Sequence, residues 1–256
     1  MAWDPAQYLR FADERLRPGF DLLARIGALP PGPIFELGCG TGVHTRAIAE
    51  RWPDRPVSGV DASPEMLARA AATASRVRWV EADIAAWRAD EPAALIFSNA
   101  TLQWLDDHET LFPRLMAQLA PGGVLAVQMP RNFEAPSHLL IAETALNGPW
   151  CKQVQHLITP PPVNEPGFYH DLLAPNSQNI DIWQTEYLQV LEGDNPVKEW
   201  TKGTWLTRYL DVLQGEEKAA FEDAYGARVA KAYPKNAAGQ TLFPFRRLFM
   251  VAQRKG

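Results

Sequence analysis

Ile34-Phe35-Glu36-Leu37-Gly38-Cys39-Gly40-Thr41-Gly42 decides how the rest of this chain is read. Ile34 to Leu37 make a short, mostly apolar strand, and three alternate glycines then turn the chain into a helix that runs to about Trp52. Glycine tolerates positive φ and lets backbone approach a ligand closely. The helix N-terminus beyond presents unpaired N–H groups to an anion such as a carboxylate. The glycines fall as G-x-G-x-G, whereas dinucleotide-binding loops carry G-x-G-x-x-G.

Working outward, Pro56 to Val60 reads as the second strand, and Asp61 follows it directly, 23 residues after Gly38. Two roles are open to that carboxylate: acceptor for the ribose diol of a bound nucleoside, or cap for the helix opened by Ser63-Pro64-Glu65. A glycine loop at this distance favours the ribose. Further strands are expected at 77–80, 94–98 and 123–129, with a helix over 108–119 ending before Pro121-Gly122-Gly123. Short apolar strands alternating with helices imply a doubly wound α/β fold around a mostly parallel sheet. Its ligand belongs at the carboxyl ends of the strands. Polar groups stand at four consecutive ends: the glycine loop, Asp61, Asp83-Ile84 and Ser98-Asn99. An aspartate at position 83 can accept from the exocyclic amine of adenine, and the next N–H can donate to a ring nitrogen.

Upstream, residues 4–13 read as a helix with Asp4 as N-cap and Pro5 at its first position, and a second helix follows Pro18-Gly19. Downstream, 131–179 is rich in proline with short helical pieces. A strand is expected over 180–191, two or three helices over 195–234, and a last strand over 241–253. The expected organisation is one domain. Its core is 1–130 with 180–192 and 240–256, and 131–179 and 193–239 are α-helical insertions in which a lid would lie.

Composition narrows the function. The 256 residues are 46% hydrophobic and 21% charged, with 25 Lys plus Arg against 30 Asp plus Glu and a net charge of −5. Nucleic acid and anionic membrane both call for a basic field, so neither is an expected partner. Two cysteines build neither a disulfide framework nor a four-cysteine metal site. Residues 1–17 lack the apolar core of a signal peptide, and no apolar run is long enough to span a bilayer. The expectation is a cytoplasmic protein. Five histidines without an i, i+4 pair give no metal-binding pattern. Cys39 reads as a small packed residue, and Ser98 lacks the flanking glycines of a hydrolase nucleophile.

These motifs, E-x-G-x-G-x-G, D-x-S-P-x-M over Asp61 to Met66, E-A-D-I over Glu81 to Ile84 and L-x-P-G-G over Leu119 to Gly123, stand in the order of the class I S-adenosylmethionine-dependent methyltransferases, which the chain resembles. Trp3 to Tyr8, Asn99 to Trp104, Leu125 to Pro130 and Arg247 to Ala252 resemble more closely the members that esterify small polycarboxylic acids, trans-aconitate first among them. The resemblance implies a Rossmann-like seven-stranded sheet with its last strand antiparallel. It also implies S-adenosyl-L-methionine as cofactor and S-adenosyl-L-homocysteine as product. Gly38, Gly40 and Gly42 would line the methionine portion of the cofactor. Asp61 would hold the ribose, Asp83 and Ile84 the adenine, and the Asn99 carbonyl the amino group, with Ala62 and Met66 also binding the cofactor. Gln7 and Tyr8 would cover the methyl. A polycarboxylate on a net-negative protein calls for arginine, whose planar fork matches a carboxylate. Arg131, Arg246 and Arg247 are the candidates, with Tyr8 and Trp104 as walls. A carboxylate of pKa near 4 arrives ionised, so no general base is expected. Methyl transfer to another small acceptor, an NAD-dependent oxidoreductase and a non-catalytic cofactor binder are the alternatives. Monomer and homodimer are equally open.

Overall fold

The computed structural model describes residues 12–256. Gln7 and Tyr8, with most of the helix expected over 4–13, lie outside the described residues. The first described helix, α1 (Ala12–Ala24), carries Pro18 in its interior. It therefore begins before Pro18-Gly19, where a fresh start was expected. Tertiary contact is the reason that this pair does not break it. The His44 ring lies against Gly19, where a Cβ would come within 2.3 Å of Nε2. That nitrogen donates to the Leu16 carbonyl at 3.0 Å.

Seven strands form one sheet in the order β3-β2-β1-β4-β5-β7-β6. They are β1 (Ile34–Leu37), β2 (Val57–Asp61), β3 (Arg78–Glu81), β4 (Ala93–Asn99), β5 (Leu119–Pro130), β6 (Ser177–Leu191) and β7 (Thr241–Arg254). Pairings among β1 to β5 are parallel, and β7 runs antiparallel to β5. Every residue of β1, and all of β4 but its last, is buried. Strands covered on both faces are apolar throughout, which is why they show no polar alternation. The edge strand β3 carries exposed Arg78 and Glu81, which discourage pairing with another chain.

Helices α2 (Val43–Arg51), α3 (Pro64–Ala71) and α4 (His108–Ala117) connect the strands. The last ends two residues before its expected limit because Leu119 already pairs with Ala93. Pairing resumes between Leu95 and Val124, so Pro121-Gly122-Gly123 forms a bulge within β5 and not a turn ahead of it. A Cβ on Gly123 would stand 2.7 Å from the Ala93 carbonyl oxygen.

The chain forms two compact units, and two of their boundaries fall inside β6 and β7. One comprises Leu16–Pro130, Val163–Thr185 and Arg247–Gly256; the other includes Arg131–Pro162 and Glu186–Arg246. Residues 163–179, expected within a helical insertion, are grouped with the sheet because Tyr169 of α7 (Pro166–Leu173) packs on Phe112 and His108 of α4.

The second unit has its own core. Helices α5 (Pro136–Leu146), α6 (Cys151–Val154), α8 (Pro196–Lys202), α9 (Thr207–Leu210) and α10 (Gly215–Ala232) belong to it. Trp150, Trp200, Tyr209, Phe221, Tyr225 and Phe243 are buried there together. Burying each such ring contributes on the order of 2 to 3 kcal/mol. The Tyr209 and Phe221 rings stack at 5.8 Å. The hydroxyl of Tyr225 donates to the Ser137 carbonyl at 2.9 Å, so its polar tip is satisfied.

Candidate active site

The glycine loop is pinned from below and held open above. The N–H groups of Gly38 and Cys39 both donate to the Val60 carbonyl, at 2.8 and 3.0 Å. Gly38, Gly40 and Gly42 have φ of +76°, +52° and +74°, in the left-handed region that disfavours a side chain. Gly38 also lies against Thr101, whose Oγ1 would stand 2.0 Å from an added Cβ. At Gly40 the situation reverses: among the described residues an added Cβ meets nothing within 4 Å. The tip of the loop thus borders open space at the mouth of the sheet, a cradle in which a ligand's own atoms would fit.

Asp61 closes this corner. Its Oδ2 accepts from the Gly40 N–H at 2.8 Å and its Oδ1 from the Ser63 N–H at 2.9 Å. One carboxylate therefore ties the glycine loop to the start of α3, where Ser63 Oγ accepts from the Met66 N–H at 3.3 Å. Met66 is buried and Ala62 exposed. Asp83, at the end of β3, is exposed, and its Oδ1 takes the Ala85 N–H at 2.9 Å. The Ile84 side chain beside it is buried.

At the end of β4 the backbone is strained. Ala100 sits at φ +53°, a conformation that costs a non-glycine residue on the order of 1 kcal/mol or more. Two hydrogen bonds hold it there: its N–H donates to the Gln128 carbonyl at 2.9 Å, and its carbonyl accepts from Gln103 Nε2 at 2.7 Å. Thr101 Oγ1 lies 3.2 Å from the Asn99 carbonyl and 3.3 Å from that of Gly38, joining β4 to the loop. Behind this corner, His108 Nε2 donates to the Leu102 carbonyl at 2.9 Å and Nδ1 meets the Tyr169 hydroxyl at 2.8 Å. Burial holds the imidazole below its ordinary pKa, so it anchors the turn as a neutral ring.

Several partners carried no motif. Thr101, Gln103 and Gln128 were not anticipated, nor was Trp79. The Trp79 ring covers Gly42 and Gly59, within 2.2 and 2.6 Å of where their Cβ atoms would stand. A lone glutamine inside the apolar run Leu125 to Met129 was the one available signal for Gln128.

The arginines separate cleanly. Arg247 is buried at 3% exposure, and its Nη1 donates to Gln128 Oε1 at 3.4 Å. Arg246, one residue earlier and so on the opposite strand face, is exposed and pairs with Glu186 at 3.7 Å. Its carbonyl accepts the Arg131 N–H at 2.9 Å. Trp104 ends a 3-10 turn (Leu102–Trp104) and is 38% exposed.

Two other polar groups are explained by packing. Ser98 is buried and its hydroxyl donates to the Leu37 carbonyl at 2.8 Å. The Cys39 thiol is also buried, and burial above all pushes its pKa up, away from nucleophilic thiolate. Among the described residues no group of three or more His, Cys, Asp or Glu could hold a metal ion. No helix among them is long and apolar enough to cross a membrane.

Comparison with known proteins agrees with this geometry. Residues 34–123 match a family model described as a methyltransferase domain. Among solved structures, a phosphoethanolamine N-methyltransferase of Haemonchus contortus in complex with S-adenosyl-L-methionine superposes with a TM-score of 0.55 at 17% identity. The match covers 98% of this chain and 56% of that one. The YcgJ protein of Bacillus subtilis superposes with a TM-score of 0.57 at 14% identity, over 93% and 97% of the two chains. These likenesses establish the class I methyltransferase fold. Sequence relatives reach further. The trans-aconitate 2-methyltransferase of Azoarcus sp. strain BH72 is 47% identical over 98% of this chain and 99% of its own. That of Rhizobium meliloti is 43% identical, covering 99% of each. With identity of this order along almost its whole length, the chain belongs to the trans-aconitate 2-methyltransferase family.

Proposed function

We propose that this protein transfers a methyl group from S-adenosyl-L-methionine to a carboxylate of a small polycarboxylic acid, trans-aconitate, giving a methyl ester and S-adenosyl-L-homocysteine. The near-full-length identity to relatives named for that reaction carries the reading. The open cradle over Gly40, with the Asp61 carboxylate bonded to its rim, supports it. In this reading the loop of Gly38, Gly40 and Gly42 holds the methionine portion. Asp61 turns its remaining lone pairs to the ribose hydroxyls, beside Ala62 and Met66. Asp83 and Ile84 meet the adenine, and the Asn99 carbonyl takes the amino group. Gln7 and Tyr8 would cover the methyl. The reading keeps a core of 1–130 with 180–192 and 240–256 and helical insertions at 131–179 and 193–239, of which 163–179 are grouped with the sheet.

S-adenosylmethionine, when bound, supplies a methyl group on a cationic sulfur. An acceptor carboxylate is already ionised at neutral pH, so no side chain need remove a proton. Its oxygen forms the new bond to the methyl carbon while the carbon–sulfur bond breaks, and that electron pair stays on sulfur. Charge is consumed as anion meets cation, so a site that excludes water favours the transfer. The protein's part is alignment, which can supply roughly 7–11 kcal/mol. Arg247 is the better placed arginine for holding a carboxylate away from water. Tyr8, Trp104 and Arg131 complete the substrate side.

The test is a methyl-transfer assay with labelled S-adenosylmethionine and no added metal. Trans-aconitate is offered beside cis-aconitate, citrate, isocitrate and a fatty acid. Base-labile labelled ester should form on trans-aconitate far faster than on the rest; label on none of them, with S-adenosylmethionine still bound, would refute the substrate reading. Arg246→Ala separates the two neighbouring arginines. An exposed pair such as Arg246 with Glu186 is worth at most about 1 kcal/mol, and KM for trans-aconitate should stay within about twofold of the parent.

A further inference from the structure

Gln128 is completely buried in β5, yet its amide is only half satisfied. The Arg247 guanidinium donates to Oε1, which sets the flip of the amide and leaves Nε2 as the donor still to be paired. Among the described residues that nitrogen has no partner. Opposite it on β4, buried Asn99 Oδ1 has no partner either, and Gln103 offers a third such atom, Oε1, its own Nε2 being committed to Ala100. The register explains why they lie at one end of the sheet. Gln128 pairs directly with Asn99 on one side and Phe249 on the other. Arg247 stands two residues from Phe249 and so shares the sheet face with Gln128. Buried amides are nearly always paired, and each exception calls for an explanation. Here the exceptions gather at the carboxyl ends of β4 and β5, beside a buried guanidinium and a strained Ala100.

From this we infer that Gln128 is a substrate-binding, specificity-determining residue, whose Nε2 acts with the Arg247 guanidinium to hold a carboxylate of the polycarboxylate that is not the one methylated. This rests on the proposed carboxyl methyl transfer and deepens it. A carboxylate offers two acceptor oxygens, and an amide N–H beside a guanidinium fork presents matching donors. The Gln128 carbonyl also holds Ala100, and through it the end of β4. That bond uses backbone alone, so side-chain substitution leaves it in place and reads the amide together with its contact to Arg247.

Gln128→Met keeps the length of the side chain and removes both polar atoms; Gln128→Glu replaces the donor by an acceptor. Both are compared with the parent on trans-aconitate and on three acids that each lack one of its three carboxylates, mesaconate, glutaconate and itaconate. Thermal midpoints and the affinity for S-adenosylhomocysteine, expected within about twofold of the parent, check that the fold and cofactor corner survive. Loss of one charge-assisted hydrogen bond should raise KM for trans-aconitate roughly 10- to 100-fold with kcat much less affected. Gln128→Glu should raise it at least as far. One of the three shorter acids should be insensitive to the change, because it lacks the carboxylate that Gln128 holds. Calorimetric titration of trans-aconitate into protein loaded with S-adenosylhomocysteine reads the same contact without turnover. Binding present in the parent and weakened in both variants supports the assignment even where no methyl is transferred, in which case the reaction proposed above fails by itself. Equal KM and equal binding in parent and variants, or an equal loss for all four acids, overturns it and leaves the amide to an ordered water. So does an absence of trans-aconitate binding to the loaded parent.

Discussion

Asp61→Ala should weaken binding of S-adenosylhomocysteine by roughly 100-fold or more, because the change removes two kinds of bond at once. The carboxylate accepts the Gly40 and Ser63 N–H groups at 2.8 and 2.9 Å, so its loss unties the glycine loop from the first turn of α3. In the proposed complex it also accepts from the ribose. Hydrogen bonds to a charged group are worth about 1.5–3 kcal/mol each, and losing two of them already accounts for the predicted factor. Asp61→Asn distinguishes the roles. Asparagine can accept one of the two N–H groups but turns an NH2 toward the other, so it repairs the loop only in part. Calorimetry with S-adenosylhomocysteine gives the affinity, and thermal unfolding of the ligand-free protein gives the cost to the loop. A midpoint that falls while affinity changes less than about fivefold would make Asp61 a structural tie alone and take the ribose role away from it.

The difference between what was legible in the sequence and what was not follows the kind of constraint involved. Strand β1, the glycine loop and Asp61 announce themselves because backbone geometry restricts the residue types: three left-handed positions admit little but glycine. The parallel sheet is equally readable from its uniformly apolar strands. Other features depend on residues distant in the chain. Pro18 and Gly19 look like a helix break until His44 is placed against Gly19 and bonded to Leu16. The bulge in β5 is invisible until Leu119 is seen to pair with Ala93. Arg246 and Arg247 are indistinguishable as letters, and only strand alternation buries one and exposes the other. Gln103 and Gln128 obey no spacing rule, since their meeting point at Ala100 is set by a turn after β4 and a partner on β5.

Glu36→Gln should stabilise the protein in alkali and not in acid, and the pH at which the gain appears identifies the charge state of the buried cluster under the glycine loop. Glu36 is 1% exposed in β1. The Thr45 hydroxyl donates to Oε2, and His44 Nδ1 lies 3.8 Å from Oε1. The nearby charges are Asp61, which opposes ionisation, and Arg46, which favours it; burial outweighs both and pushes the carboxyl up to about 8. His44 is pushed the other way by its own burial. Its Nε2–H is committed to the Leu16 carbonyl, so a lone pair on Nδ1 faces Glu36. A neutral acid beside a neutral imidazole satisfies both shifts. Between pH 4.5, the ordinary value, and about 8 the folded protein then keeps a proton that the unfolded chain has released. Stability contributed by Glu36 is complete below the ordinary value and is lost as pH rises through that window. A displacement of that size corresponds to a loss on the order of 3 to 5 kcal/mol. At about 2 to 4 °C per kcal/mol for a chain of this size, the midpoint of the glutamine variant should gain on the parent by on the order of 10 °C between pH 5 and 8.5. Taking the difference between variant and parent at each pH cancels the titration of every other group. An ionised Glu36 paired with a protonated His44 predicts the opposite course. The variant would be most damaged near neutrality, where the ion pair is intact, and the gap would close as His44 loses its proton with rising pH. A difference that narrows with pH would therefore overturn the neutral pair, and one that widens in the variant's favour would establish it.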